Sequence, residues 1–263
     1  MSISTYRELR PAYGFDEVAI VPGSVTVNPE LIDVRLVLGQ HTFDIPIVAA
    51  ALDSVSDPRF AVEMGKRGGL AVMNLEGIQF RYEDPQAAVA EIIAASLGDS
   101  AAVIQRLYAA PIREELIGRR IRAVKEGGAI CAVSCTPANT KKLAPIAVDA
   151  GADIIVVQST VTTARHISRS LRGLIFEELC ANIGVPVVVG NTVTFEATKE
   201  LMETGISGVL VGVGPGSICT SREVLGVGVP QVTATMDCAA ARDQYYRESG
   251  RYVPVITDGC MRN

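Results

Sequence analysis

Cys219 closes a glycine-rich stretch, Gly212-Val213-Gly214-Pro215-Gly216-Ser217-Ile218-Cys219-Thr220-Ser221-Arg222, that follows the apolar run Gly208-Val209-Leu210-Val211. A thiol at the end of such a turn becomes a nucleophile once it ionises, and the hydroxyls of Ser217, Thr220 and Ser221 stand close by in sequence to assist it. Gly212, Gly214 and Gly216 allow backbone N–H and C=O groups to approach a ligand with no Cβ in the way. Covalent catalysis is the chemistry this pattern suits. An isolated match fits equally a glycine-rich turn that merely buries a cysteine. More loop punctuation follows at Gly226, Gly228 and Pro230, too much for a packed helix.

The remaining reactive residues are scattered. Six cysteines include no CxxC pair, and His41 and His166 stand far from them, so zinc-type spacing is absent. Unpaired thiols suit a reducing, cytoplasmic compartment. Cys131 and Cys135 lie in apolar surroundings and are expected in the core, as are Cys180 and Cys238 on helices. His41 and His166 have no neighbours that suggest a triad. Arg165, Arg169 and Arg172 could meet a phosphate, although a solvated face is the plainer expectation. A net charge of −5 argues against nucleic acid and against a polybasic membrane patch. No apolar signal core opens the chain, and no apolar run reaches spanning length.

What must position Cys219 is a repeating order of strand and helix. In 263 residues, apolar β-branched runs recur at 45–52, 70–73, 129–133, 153–157, 185–189, 208–211 and 253–257. Runs without alternation are expected of strands buried on both faces. Helices are expected at 57–66, 84–95, 111–125, 139–150, 172–182, 194–203 and 232–250, several opening on Asp-Pro or Thr. Residues 74–84 read as a polar loop, and residues 1–45 as an N-terminal arm with one or two short strands. Residues 46–263 then form an α/β catalytic domain, a (β/α)8 TIM barrel in preference to a doubly wound sheet, because the loops enlarge after several strands. Seven strands are recognisable where a barrel of this class has eight, which leads to the expectation that the chain is truncated.

Gly190-Asn191, Gly212 through Thr220, Gly226-Val227-Gly228-Val229-Pro230-Gln231 and Asp258-Gly259 together resemble the IMP dehydrogenase/GMP reductase family, and the likeness covers nearly the whole chain. Asn74-Leu75-Glu76-Gly77-Ile78-Gln79 with Arg81-Tyr82-Glu83-Asp84-Pro85 is most similar to the short IMP dehydrogenase-related branch of cyanobacteria and actinobacteria, which lacks the regulatory CBS pair. The resemblance implies that Cys219 adds to C2 of the purine and that Ser221 stands where reductases carry a catalytic Thr. It implies substrate contacts at Gly216, Ser217, Asp258, Gly259 and Cys260, with Asp258 on the ribose hydroxyls. It implies cofactor contacts, to NAD or NADP(H), at Gln158, Ser159, Thr160, Gly212, Val213 and Gly214, and a potassium ion on the carbonyls of Gly214, Gly216 and Cys219. The partner is then a purine nucleoside monophosphate, IMP or GMP, and the assembly a cytoplasmic homotetramer.

Several positions depart from the family pattern. Gln158 replaces an Asp of the dehydrogenases; Thr220-Ser221-Arg222 is nearer the reductases; Ala49-Ala50-Ala51-Leu52 lacks the usual Ser and Met. Cys260 replaces the second Gly of an Asp-Gly-Gly phosphate motif. The resemblance therefore leans to GMP reductase, with IMP dehydrogenase as the alternative. The family's second phosphate loop, eighth strand, flap and catalytic Glu would lie past Asn263, which adds the expectation of a nucleotide-binding fragment that does not turn over.

Overall fold

The computed structural model describes residues 10–167 and 173–261, and its first strands form a hairpin of β1 (Leu36–Leu38) and β2 (His41–Phe43). Gly39 makes the turn at φ +59°, and a Cβ there would come within 2.3 Å of the Pro186 ring, so glycine is needed both for the bend and for the close approach. Parallel strands follow: β3 (Val48–Ala49), β4 (Leu70–Asn74), β5 (Ala132–Cys135), β6 (Ile154–Gln158), β7 (Val187–Thr192), β8 (Gly208–Val211) and β9 (Val255–Thr257). They hydrogen-bond to one another in chain order as one sheet of seven.

The apolar runs do not alternate because each strand faces apolar surroundings on both sides. Leu70, Val72, Ala132, Ile154, Val156, Val188 and Leu210 point to an inner core that also takes Leu38 and Phe43 from the hairpin. Their neighbours Ala71, Met73, Val133, Ile155, Val157, Val189, Val209 and Val211 point outward into a larger core against the helices. Val48 and Ile256, from the two outermost strands, line one internal cavity of about 60 Å3. The sheet is thus curled into a TIM-barrel-type α/β fold with its hairpin inserted among the inner residues.

The helices run between the strands as α1 (Pro58–Lys66), α2 (Pro85–Ala94), α3 (Ser100–Tyr108), α4 (Glu114–Glu126), α5 (Pro137–Asp149), α6 (Phe176–Asn182), α7 (Phe195–Glu203), α8 (Ser221–Leu225) and α9 (Gln231–Ser249). Asp57 caps α1 by accepting from the Phe60 N–H at 2.7 Å, and Asp84 caps α2 through the N–H groups of Gln86 and Ala87, both at 3.1 Å.

Three expectations need correction. The stretch 74–84 is not simply polar: a 3-10 turn, Ile78–Phe80, buries all three of its residues. Helix α3 was not expected, and it packs with α2 on that turn through Leu107, Ala88 and Ile78. Helix α4 starts at Glu114 and not at 111, because the Arg113 N–H is held by the Phe80 carbonyl at 2.9 Å. The short α8 follows Cys219 but ends before Gly226, and 226–230 is loop as expected. Among the described residues no helix is long and apolar enough to cross a membrane.

Candidate active site

At the C-terminal ends of the strands lies a cavity of about 990 Å3, lined by the segments that follow β3 through β9. In α/β barrels this end carries the chemistry. All of Gln158, Ser159, Thr160, Gly212, Val213, Gly214, Gly216, Ser217, Cys219, Ser221, Asp258, Gly259 and Cys260 line it. Residues separated by a hundred positions in the chain share one space.

Cys219 is exposed on this cavity, with its Sγ 3.4 Å from Ser221 Oγ. The Ser221 hydroxyl, then the Ser221 backbone N–H and that of Gly214, hold its thiol below the ordinary value, against the charge of Asp258. The loop that carries it is braced from beneath. A Cβ at Gly212, where φ is +146°, would sit 2.4 Å from the Asp258 carbonyl and 2.9 Å from Gln231 Oε1. Gln231 is fully buried at the start of α9, and its Nε2 donates to the Val211 carbonyl at 2.6 Å. The stem of Arg222 lies between two glycines, with its Cγ 2.6 Å from the place of a Cβ on Gly214 and 2.5 Å from that on Gly228.

Among the described residues Asp258 is held by amides and pairs with no cation. Asn191 Nδ2 donates to Asp258 Oδ2 at 2.7 Å and to the Gly212 carbonyl at 2.9 Å. Gln158 Nε2 donates to Asn191 Oδ1 at 3.1 Å and to Asp258 Oδ2 at 3.3 Å. Asn191 is only 6% exposed, and it joins the carboxylate to the first glycine of the cysteine loop. The sequence reading quoted Gly190-Asn191 as a motif without giving the side chain this role. The Ser159 hydroxyl, by contrast, donates to the Val161 carbonyl at 2.8 Å and so holds its own loop.

The opposite wall also went unread. Glu76 accepts from the Thr136 N–H at 2.8 Å, from Thr136 Oγ1 at 3.1 Å and from Asn139 Nδ2. Arg81 donates to the carbonyls of Glu76 and Ala110 and lies 5.8 Å from the Tyr108 ring centroid. The Tyr108 hydroxyl donates to Asp53. Glu76 and Arg81 flank the buried 3-10 turn and Tyr108 ends the unexpected helix, so the motif quoted around residues 74–85 gave these side chains no role.

A nicotinamide cofactor finds suitable surroundings here. The glycine wall at 212 and 214 leaves backbone bare, and a second cavity of about 440 Å3 shares Thr136 and Ser159 with the first. A two-ended ligand could extend into it, past Phe176 and His166. Potassium fits less well. Of the three carbonyls implied as its ligands, that of Gly216 already accepts the Cys219 N–H at 3.0 Å and has one lone pair left to offer.

Cys260 takes φ +63°, a left-handed conformation normally left to glycine. The backbone at 260 therefore takes a shape that favours glycine although a side chain is present. Cys131, Cys135 and Cys238 are buried as expected, whereas Cys180 is only partly so. Arg165 is exposed and pairs with Glu200; Arg169 and Arg172 lie outside the described residues.

A family model for the IMP dehydrogenase / GMP reductase domain matches residues 12–263. An uncharacterized oxidoreductase of Mycolicibacterium smegmatis is 36% identical over 98% of this chain and 71% of that protein. An inosine-5'-monophosphate dehydrogenase of Cryptosporidium parvum is 30% identical over 94% of this chain and 61% of that protein. The crystal structure of an IMP dehydrogenase/GMP reductase-like protein from Corynebacterium glutamicum superposes with a TM-score of 0.90 at 35% identity, covering 100% of this chain and 70% of that one.

Proposed function

The chain belongs to the IMP dehydrogenase / GMP reductase family of oxidoreductases, and from that membership we propose that it acts at C2 of a purine nucleoside monophosphate through a covalent bond to Cys219. The observation that carries this reading is an exposed thiol of lowered pKa on the same cavity as an amide-held carboxylate, Asp258.

Cys219, as thiolate, forms a C–S bond at C2, while the Ser221 hydroxyl 3.4 Å away stabilises the sulfur when it carries charge. Asp258 accepts from the ribose hydroxyls, and the bare backbone at Gly216 and Gly259 faces the phosphate. In the reductase direction the exocyclic amine takes up a proton and leaves as ammonia, C2 gains a hydride, and the C–S bond breaks to return the thiolate. A nicotinamide held along Gly212 and Gly214 would supply that hydride, or accept one in the dehydrogenase direction, where water then displaces the sulfur from C2. The reductase direction is favoured by Thr220-Ser221-Arg222, whose Arg222 is built into the cysteine loop between Gly214 and Gly228.

The test is to mix the protein with GMP and NADPH, or with IMP and NAD, and follow the absorbance of the reduced nicotinamide. NADPH oxidation that requires GMP supports the reading. NADH formation with IMP reverses the direction. No turnover with either pair, together with an unmodified Cys219 in the intact mass after exposure to a C2-electrophilic purine nucleotide, overturns it.

A further inference from the structure

We infer that Gln158 is a positioning residue of the purine-nucleotide site, not a contact for the nicotinamide cofactor, a role that rests on the function proposed above. Its Nε2 reaches two acceptors, Asn191 Oδ1 at 3.1 Å and Asp258 Oδ2 at 3.3 Å, and Asn191 Nδ2 reaches the same carboxylate oxygen at 2.7 Å. Three side chains from the ends of three strands, β6, β7 and just past β9, thus close a ring of polar contacts. Among the described residues Asp258 has no ion-pair partner, so the two amides do the work a cation would otherwise do. They satisfy Oδ2 and leave Oδ1 without a protein donor among the described residues, as an acceptor for ribose hydroxyls.

The residue type at 158 matters for the same reason. A carboxylate there has no proton to give at neutral pH and would set a second negative charge against Asp258. An alanine would leave Asp258 with the Asn191 donor alone. Glutamine is long enough to span from β6 to the segment after β9 and supplies a donor. The cofactor-ribose role implied for this position requires the side chain to be free for a nicotinamide, and here its Nε2 is already engaged by Asn191 and Asp258.

The two assignments make opposite predictions for Gln158→Glu. Binding of GMP and IMP to the full chain is measured by calorimetry without nicotinamide, and KM for the nicotinamide is measured separately. Loss of one part-buried hydrogen bond to a charged group, compounded by repulsion, should weaken nucleotide binding about 10-fold or more near pH ~8. Part of that loss should return near pH ~5, where a carboxyl begins to take up a proton and can donate. Gln158→Ala should lose roughly 3-fold to 10-fold with no such pH dependence. The nicotinamide KM should stay within about 2-fold in both variants, with unchanged melting temperatures showing that they fold. If Gln158→Glu binds nucleotide like the parent, or mainly changes the nicotinamide KM, the positioning role is wrong while the function stands. If the parent chain binds neither nucleotide, the function and this role fall together.

Discussion

Of the thiols whose titration is perturbed, only Cys219 moves downward. Burial pushes Cys131 up to about 12, and Cys135, Cys180 and Cys238 up to about 11, while neighbouring hydrogen-bond donors hold exposed Cys219 below its ordinary value. Brief iodoacetamide treatment at about pH 7 should therefore label Cys219 well ahead of these four, as read by peptide mapping. The labelling rate should rise with pH through a midpoint below that of an unperturbed thiol. Ser221→Ala removes the largest cause of the lowering, so the midpoint should shift upward; an unshifted midpoint would mean that the hydroxyl does not act on the sulfur. At this scale the sequence pointed to Cys219 and Asp258, which the structure brings to one cavity, because both sit in compact motifs. It did not disclose Asn191's connecting role or the Glu76–Arg81 wall, because those depend on contacts between segments 33 to 67 residues apart or on a turn with no apolar period.

Among the elements, those that announced themselves had local chemistry to do it with. Asp57 and Asp84 each precede a proline and each cap the helix that follows, so those starts could be read from the chain. Helix α3 has no side-chain cap bond, and it is held by packing on the 3-10 turn, which is a tertiary effect. The third strand was expected at 129–133 and forms at Ala132–Cys135. Cys131 is instead bonded at both its N–H and its carbonyl to Asp153 ahead of the ladder, a constraint that apolarity does not reveal. The hairpin β1–β2 contributes Leu38, 1% exposed, to the inner core. Leu38→Ala should cost about 2–5 kcal/mol in urea unfolding, since the inner strands cannot easily move in to fill the space. The Cys219 labelling rate should not change, because that loop belongs to the other end of the strands. A loss below ~0.5 kcal/mol would mean that the hairpin is not a structural plug.

For the whole molecule, burial of thiols sets a limit at high pH. Cys131 and Cys135 titrate near 12 and 11 when folded, whereas an unfolded thiol releases its proton near ~8.5. The unfolded state therefore binds fewer protons in this window, so stability is full below about pH 8 and falls as pH rises toward the folded values. Urea midpoints measured from pH ~8 to pH ~10 should decline, and the decline should be shallower in Cys131→Ala/Cys135→Ala than in the parent. Equal slopes would place the alkaline sensitivity elsewhere. The same barrel has another property that follows from its strand order. Neighbouring strands are also consecutive in the chain, yet the mouth of the cavity gathers residues from Val48 to Met261. A guest gripping both the cysteine loop and the Glu76 side would act as a clasp between distant stretches of polypeptide, and its departure would free each stretch to breathe on its own.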